Sequence, residues 1–318
     1  MSQTKRRLHG AIMIQAVTVL ACGQQDNLIE PDGKPATSAA IPAPSQAVSS
    51  VAVLVGAGDI AKCNNLNRAG LTANLLDHVS GTVFALGDNA YQDGTAAEFA
   101  RCYGPTWGRH RTRTRPAVGN HEYNVSPNPY FDYFNGVGSS SGRAGPRGKG
   151  YYSYNAGAWH IVVLNSVTNI RQDASSPQAR WLKADLAAHP TRCTLAYWHH
   201  PFFTSGKNRP ATRLAPLVKL LYAAGVEVVM SGHNHQYERF APQDPSRRAD
   251  PSRGIRAFVV GTGGTTPYGF ERREPNSQVR YSGGQGVLKL TLSPTSYTWE
   301  FVPVAGTSFR DSGKGTCH

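Results

Sequence analysis

The chain is short of acid. Its 318 residues carry 20 Asp and Glu against 33 Lys and Arg, a formal net charge of +13 with a pI near 9.7. A protein so biased is drawn to anions: nucleic acid, anionic lipid or phosphorylated metabolites. Nucleic acid is set aside by a second absence, because the sequence has no nucleic-acid-binding motif and no basic stripe interleaved with aromatics. There are no internal repeats. There is also no apolar run at the N-terminus long enough to cross a bilayer as a helix; "AIMIQAVTVLA" (11–21) is too short. What is present, 40% hydrophobic residues and 33 glycines, fits a globular, loop-rich protein of one large domain or two small ones. The densest basic run, "RHRTRTR" (109–115), alternates Arg with Thr, which predicts the charged, solvated face of a strand or extended segment.

Lys5, Arg6 and Arg7 precede the short apolar stretch, and that is the layout of a secretory signal peptide. The stretch runs into "VTVLACGQQ", similar to a bacterial lipobox with Cys22 as the lipidated residue, although Leu20 stands where a smaller residue is usual. Five cysteines are an odd number; setting Cys22 aside leaves four, the even count expected of an exported disulfide protein. "PDGKPATSAAIPAPSQAVSS" (31–50) has no hydrophobic periodicity and reads as a Pro/Ala/Ser tether. The expected organisation is a signal peptide over 1–22, a tether over 23–50 and a folded domain over 51–318.

Within that domain, apolar runs repeatedly stop at polar residues. "VAVLVGAGD" predicts a buried strand ending at Asp59, followed by a helix through "NRAGLTANLLDHV". "TVFALGDNAY" predicts a second strand, "TAAEFARCY" a short helix and "RPAVGNHEY" a third strand–loop junction. "YYSYNAGAWHIVVLNS" reads as two antiparallel strands joined at Gly157, and Pro177 opens a helix, as proline does at a first helical position. Strand "CTLAYW", helix "RLAPLVKLLYAAG", strands "VEVVM" and "IRAFVVGTGG" and a pair, "GVLKLTL" and "SYTWEFV", complete a mixed α/β sandwich.

The strand ends carry the chemistry. Asp59, Asp88 with Tyr91, Asn120 with His121, His199 with His200, and His233 with His235 all follow apolar runs. Each alone is an ordinary cap or turn. Together they deliver oxygen and nitrogen donors to one edge, and in open α/β sheets ligands bind outside the carboxyl ends of the strands. Two histidines one residue apart, in "SGHNHQYERF" (231–240), point to a metal site completed by the other segments.

In this order, "GD" (58–59), "GDNAY" (87–91), "GNHE" (119–122), "WHHP" (198–201) and "GHNHQYER" (232–239) resemble the calcineurin-like metallophosphoesterases, and within them the purple acid phosphatases. The resemblance implies a sandwich of two mixed β-sheets flanked by helices, and two metal ions. Many members begin Asp-x-His; Ala61 takes that histidine's place here, while Tyr91 supplies the Gly-Asp-x-x-Tyr pattern of the purple enzymes. Carried over by position, Asp59, Asp88, Tyr91 and His235 would hold the first ion. Asp88, Asn120, His199 and His233 would hold the second, with Asp88 bridging ions roughly 3.5–4 Å apart. The donor types suit Fe(III) at the first site and Zn, Mn or Fe(II) at the second.

The implied activity is hydrolysis of phosphate monoesters in small phosphorylated molecules: the cations acidify a water, orient the ester and neutralise charge as hydroxide attacks phosphorus. His121 is the candidate to stabilise the transition state or protonate the leaving group, with Glu122 orienting it. His200 is either catalytic or a histidine at the rim. Lys207, Asn208 and Arg209 stand where the plant enzymes carry substrate-contacting histidines, so Lys207 and Arg209 are the candidate phosphate contacts. Two alternatives stay open: a phosphodiesterase or nucleotide pyrophosphatase with the same metals, and a non-catalytic anion- or partner-binding lipoprotein. The strand order predicts disulfides Cys63–Cys102, at the metal edge, and Cys193–Cys317, the latter by elimination.

Overall fold

The computed structural model describes residues 51–318. The signal peptide, Cys22 and the tether therefore lie outside the described residues. The first sheet contains β1 (Ala52–Ala57), β3 (Thr82–Leu86) and β5 (Thr114–Ala117) in parallel, and β13 (Gly286–Ser293) antiparallel to β1. β14 (Ser296–Pro303) and β15 (Asp311–Thr316) extend it, in the order β15-β14-β13-β1-β3-β5.

The second sheet has a parallel centre, β7 (Trp159–Val163), β8 (Cys193–Tyr197), β9 (Val228–Ser231) and β11 (Arg256–Val260). Antiparallel β6 (Tyr152–Ala156) closes one edge, and β10 (Tyr237–Phe240) with β12 (Ser277–Tyr281) closes the other. A two-residue parallel ladder joins β2 (Ala61–Lys62) to β4 (Ala90–Tyr91). The helices are α1 (Leu66–Asp77), α2 (Ala96–Glu98), α3 (Asn128–Asn135), α4 (Pro177–Ala188) and α5 (Ala215–Ala223). The fold is a mixed α/β sandwich of two sheets with flanking helices.

The central strands read as unbroken apolar runs because both of their faces are buried. In β8, Cys193, Leu195 and Tyr197 face the core between the sheets, while Ala196 faces the layer under α4 and α5. β9 repeats this, with Val228 and Met230 on one side and Val229 on the other. Leu182 of α4 and Leu217, Val218 and Leu221 of α5 fill the outer layer. Ser176 caps α4, its Oγ accepting from Ala179 N at 3.1 Å, and Pro177 takes the first turn. The disulfides are Cys63–Cys102 and Cys193–Cys317, with Cα separations of 5.1 and 5.5 Å, as the strand order requires.

"RHRTRTR" is not a solvated strand face. Residues Trp107–Arg113 form a 3₁₀ helix, and only Thr114 and Arg115 enter β5. Arg113 donates to the carbonyls of Leu76, Val79 and Gly81 at 2.6, 2.9 and 2.8 Å, and Arg109 pairs with Asp77 at 2.7 Å. A helix C-terminus leaves carbonyls unpaired and carries partial negative charge. Much of this positive charge is spent at the end of α1.

Candidate metal centre

Four of the expected donors stand two residues past a strand end: Asp59 after β1, Asp88 after β3, His199 after β8 and His233 after β9. Asn120 follows β5 by three. Parallel registers such as Ala57↔Ala85 and Leu86↔Ala117 bring these ends level. Asp59, Asp88 and His233 have φ of 61°, 50° and 67°, a left-handed turn that bends the chain across the strand end. Glycines leave room for the carboxylates: a Cβ on Gly119 would collide with the side chain and amide of Asp88, and one on Gly232 would meet Asp59 Oδ2.

Two donor sets form around one shared oxygen. In the first, Tyr91 Oη lies 2.9 Å from Asp59 Oδ1 and 3.1 Å from Asp88 Oδ2. His235 Nε2 is 3.4 Å from Asp59 Oδ1 and 3.5 Å from Tyr91 Oη. In the second, His199 Nε2 is 3.1 Å from Asp88 Oδ2, 3.1 Å from Asn120 Oδ1 and 3.2 Å from His233 Nδ1. Bonds of about 2.1 Å at right angles separate neighbouring ligand atoms by about 3 Å, so each set has the spacing of ligands to one ion. One phenol proton cannot satisfy two carboxylates, and converging lone pairs repel unless positive charge lies between them. Both sets therefore fit cations.

The outer contacts aim these donors inward. His199 Nδ1 lies 2.8 Å from Leu86 O and His235 Nδ1 3.0 Å from Thr266 O, which places those ring protons outside and the Nε2 atoms toward the centre. Asp59 Oδ2 accepts from His233 N at 2.8 Å, and Asp88 Oδ1 from His121 N at 2.9 Å. Burial works against a charged His199, yet the adjacent Asp88 outweighs it and lifts His199 to about 9. Burial, then Asp59 and Asp88, hold the Tyr91 phenol well above its ordinary value, so ionising it requires a cation. Burial beside His199 lowers His233 to about 4, leaving its ring neutral and competent as a ligand.

The remaining candidates take distinct places. His121 packs at a tilt against Tyr91, with ring centroids 4.3 Å apart and 50° between the planes, and its Nε2 lies 3.7 Å from Asp88 Oδ2. Glu122 does not reach toward His121. Its carboxylate accepts from the amides of Asp88 (3.1 Å), Asn89 (2.6 Å), Ala90 (3.2 Å) and Gly119 (2.7 Å), clamping the Asp88 loop to the Asn120 loop. Burial and then Asp88 push Glu122 up to about 7, against the pull of these N–H groups. His200 is buried at the centre's edge, its Nδ1 3.0 Å from Ser166 Oγ, and burial beside His199 and His233 keeps it neutral. Lys207 and Arg209 are exposed on either side of Asn208, which donates to His233 O at 3.1 Å.

Two further participants, Tyr268 and Glu238, lie outside the expected site residues. Tyr268 donates to His233 O at 2.7 Å and packs its ring 4.5 Å from His235. Glu238, within "HQYER", accepts from Ser205 N at 2.8 Å and Ser277 Oγ at 2.7 Å, bracing the loop that leads to Asn208. A cavity of about 350 Å³ opens beside Tyr91, His121 and His235, walled also by Lys62, Gln92 and Tyr268.

A second His–Asp–His group, His160, Asp185 and His189, lies at the N-terminal end of β7, away from the centre. Its imidazoles stack at 4.4 Å and 11°, so a single ion cannot lie in both ring planes. His160 is instead satisfied by Asp185 Oδ2 and Asn155 Oδ1, both at 2.9 Å.

An α/β sandwich that gathers carboxylates, a phenol and imidazoles at its parallel strand ends places candidate metal donors where open sheets bind their ligands. The family model for calcineurin-like phosphoesterases matches residues 53–237, more than half of the sequence, and the chain belongs to that family. It is 31% identical over 241 residues to purple acid phosphatase 15 of Arabidopsis thaliana, covering 61% of this chain and 43% of the relative. It is 26% identical over 265 residues to purple acid phosphatase 18 of the same plant, covering 75% and 58%. The chain thus spans about half the length of the curated relatives it matches. Among solved structures, the purple acid phosphatase PPD1 of yellow lupin superposes with a TM-score of 0.62 at 19% identity, over 84% of this chain and 54% of that one. GAP50, described as the anchor in the inner membrane complex of Plasmodium, superposes with a TM-score of 0.64 at 14% identity, over 84% and 89%. At these identities the two structures speak to the fold.

Proposed function

We propose that this protein is an exported phosphatase with a binuclear centre that hydrolyses phosphate monoesters of small molecules. The observation that carries the reading is the pair of donor sets meeting at Asp88 Oδ2, with Tyr91 between two carboxylates. Asp59, Asp88, Tyr91 and His235 would hold one ion, with hard anionic donors suited to Fe(III). Asp88, Asn120, His199 and His233 would hold a divalent ion such as Zn, Mn or Fe(II). Bound there, the ions supply Lewis acidity and an acidified water.

The chain's own residues do the rest. His121, fixed against Tyr91 and directed at Asp88 Oδ2, stands where it can give a proton to a departing alkoxide. His200 is held neutral, and with Ser166 at its Nδ1 its other ring nitrogen is available as a donor at the edge of the second set. Glu122 keeps the Asp88 and Asn120 loops in register. Lys207 and Arg209, exposed beside Asn208, are available to a phosphate dianion.

The signal-peptide layout and the four-cysteine count support export, and the lipobox-like "VTVLACGQQ" supports a lipid anchor at Cys22. The runner-up is a phosphodiesterase or nucleotide pyrophosphatase on the same centre. The fold also serves an anchor in GAP50, so a binding role is the third reading; the full donor sets weigh against it. The discriminating experiment compares hydrolysis of 4-nitrophenyl phosphate with that of bis(4-nitrophenyl) phosphate by the metal-loaded protein. Faster turnover of the monoester supports the proposal. Faster turnover of the diester favours the runner-up, and turnover of neither leaves the binding role.

A further inference from the structure

The cavity beside the first donor set contains a cation that neither the ligand sets nor the proton donor uses. We propose that Lys62 is a specificity-determining residue that recognises a second anionic group on the leaving-group side of the substrate. This rests on the phosphatase reading above, and deepens it. The preferred substrates are then phosphoesters or phosphoanhydrides whose leaving group itself carries a phosphate or carboxylate.

Lys62 is placed by the backbone. In the β2–β4 ladder its register partner is Tyr91, and paired residues on adjacent strands project to the same face. Both side chains accordingly line the cavity. The segment leading to Lys62 is hydrogen-bonded along its length to the segment leading to Tyr91: Asp59 N to Gly87 O at 3.1 Å, Ile60 N to Asp88 O at 2.9 Å and Ala61 N to Asn89 O at 3.1 Å. Cys63, the next residue, is tied to Cys102. A lysine on a free loop would sweep a wide volume; this one starts from a fixed Cα.

Lys62 is also unmatched. It is half-buried, and among the described residues its ammonium makes no hydrogen bond or ion pair. The cavity wall contains no carboxylate of its own. An unpaired ammonium on the wall of a cavity gains a partner when an anion enters.

The leaving group is the part of the substrate that meets it. His121, the group positioned to protonate the leaving oxygen, lines the same cavity, so the cavity is where the leaving group must lie. At about 350 Å³ it is at the small end of small-molecule sites, with Tyr268 and Pro267 providing an apolar side. It suits a compact leaving group bearing charge within reach of Lys62.

The test uses the full chain with its metals, as wild type, Lys62→Gln and Lys62→Arg. Pyrophosphate and 2-phosphoglycolate carry a second anion; glycerol 1-phosphate does not. The ratio of kcat/KM for each doubly anionic substrate over glycerol 1-phosphate should fall about tenfold or more in Lys62→Gln, mainly through KM, and recover in Lys62→Arg. If only pyrophosphate responds, the recognised anion is phosphate; if both respond, any anion suffices. Calorimetric binding of methylenediphosphonate against methylphosphonate should show the same loss of preference without turnover. Ratios equal in wild type and Lys62→Gln overturn the inference while leaving the phosphatase reading intact. A wild type that hydrolyses none of the three yet turns over 4-nitrophenyl phosphate overturns the inference alone; one that hydrolyses none of the four overturns the phosphatase reading, and the inference with it.

Discussion

Replacing Glu122 by Gln tests whether the centre is held together from behind. The carboxylate sits fully buried and accepts four backbone N–H groups, two on each oxygen: Asn89 and Ala90 on Oε1, Asp88 and Gly119 on Oε2. Gln keeps the shape but converts one oxygen into an amide that donates. Two buried N–H groups then face a donor, each costing about 1–3 kcal/mol, so Glu122→Gln should destabilise the fold by about 2–6 kcal/mol. Because the clamp joins the Asp88 loop to the Asn120 loop, metal affinity should also fall by about 10–100-fold, as it does when contacts behind metal ligands are lost. Urea unfolding at pH 8, above the value near 7 to which burial and Asp88 raise Glu122, compares the ionised carboxylate with the amide. Competition with a chelator reads the affinity. An unchanged unfolding midpoint together with unchanged affinity would refute the clamp.

Two further outcomes follow from the same geometry. Tyr91→Phe keeps the ring against His121 and removes the oxygen shared by Asp59 and Asp88; a ferric-loaded wild type should absorb visible light through a phenolate–metal transition, and the variant should be colourless. A Phe variant that stayed coloured would take Tyr91 out of the ligand set. Glu227, buried beside the C-terminal His318, is pushed up to about 7 by burial. A carboxyl raised in the fold contributes stability fully present below about 4.5 and lost as pH rises through about 7, so Glu227→Gln should gain on the wild type across that window. With solvent near the pair the gain is about 1–2 kcal/mol, and a difference that stayed flat from pH 4.5 to 8 would count against it.

The donors were legible because parallel strands buried on both faces are uninterrupted apolar runs, so an Asp or His where the run stops stands out. Asp59, Asp88, His199 and His233 show this directly. Features whose partners are backbone atoms left no trace. Arg113 caps α1 through carbonyls, which no side-chain pattern reveals, and its run therefore read as a solvated strand. Glu122 is expected to orient His121, but its contacts are backbone amides. β15, "DSGKGT", has no apolar alternation to mark it as a strand; Gly313 and Gly315 lie opposite Trp299 and Tyr297, whose rings cover them. Lys62 depends on a ladder of only two residues, below what periodicity can register.

The central claim is two ions sharing Asp88, and metal content tests it most directly. Elemental analysis of purified, metal-loaded protein should find about two ions per chain in the wild type. Asp88→Ala should lose both and His199→Ala about one, each variant remaining folded and soluble without hydrolysing phosphate esters. A wild type holding one ion or none, or an Asp88→Ala protein that kept two, would contradict the account.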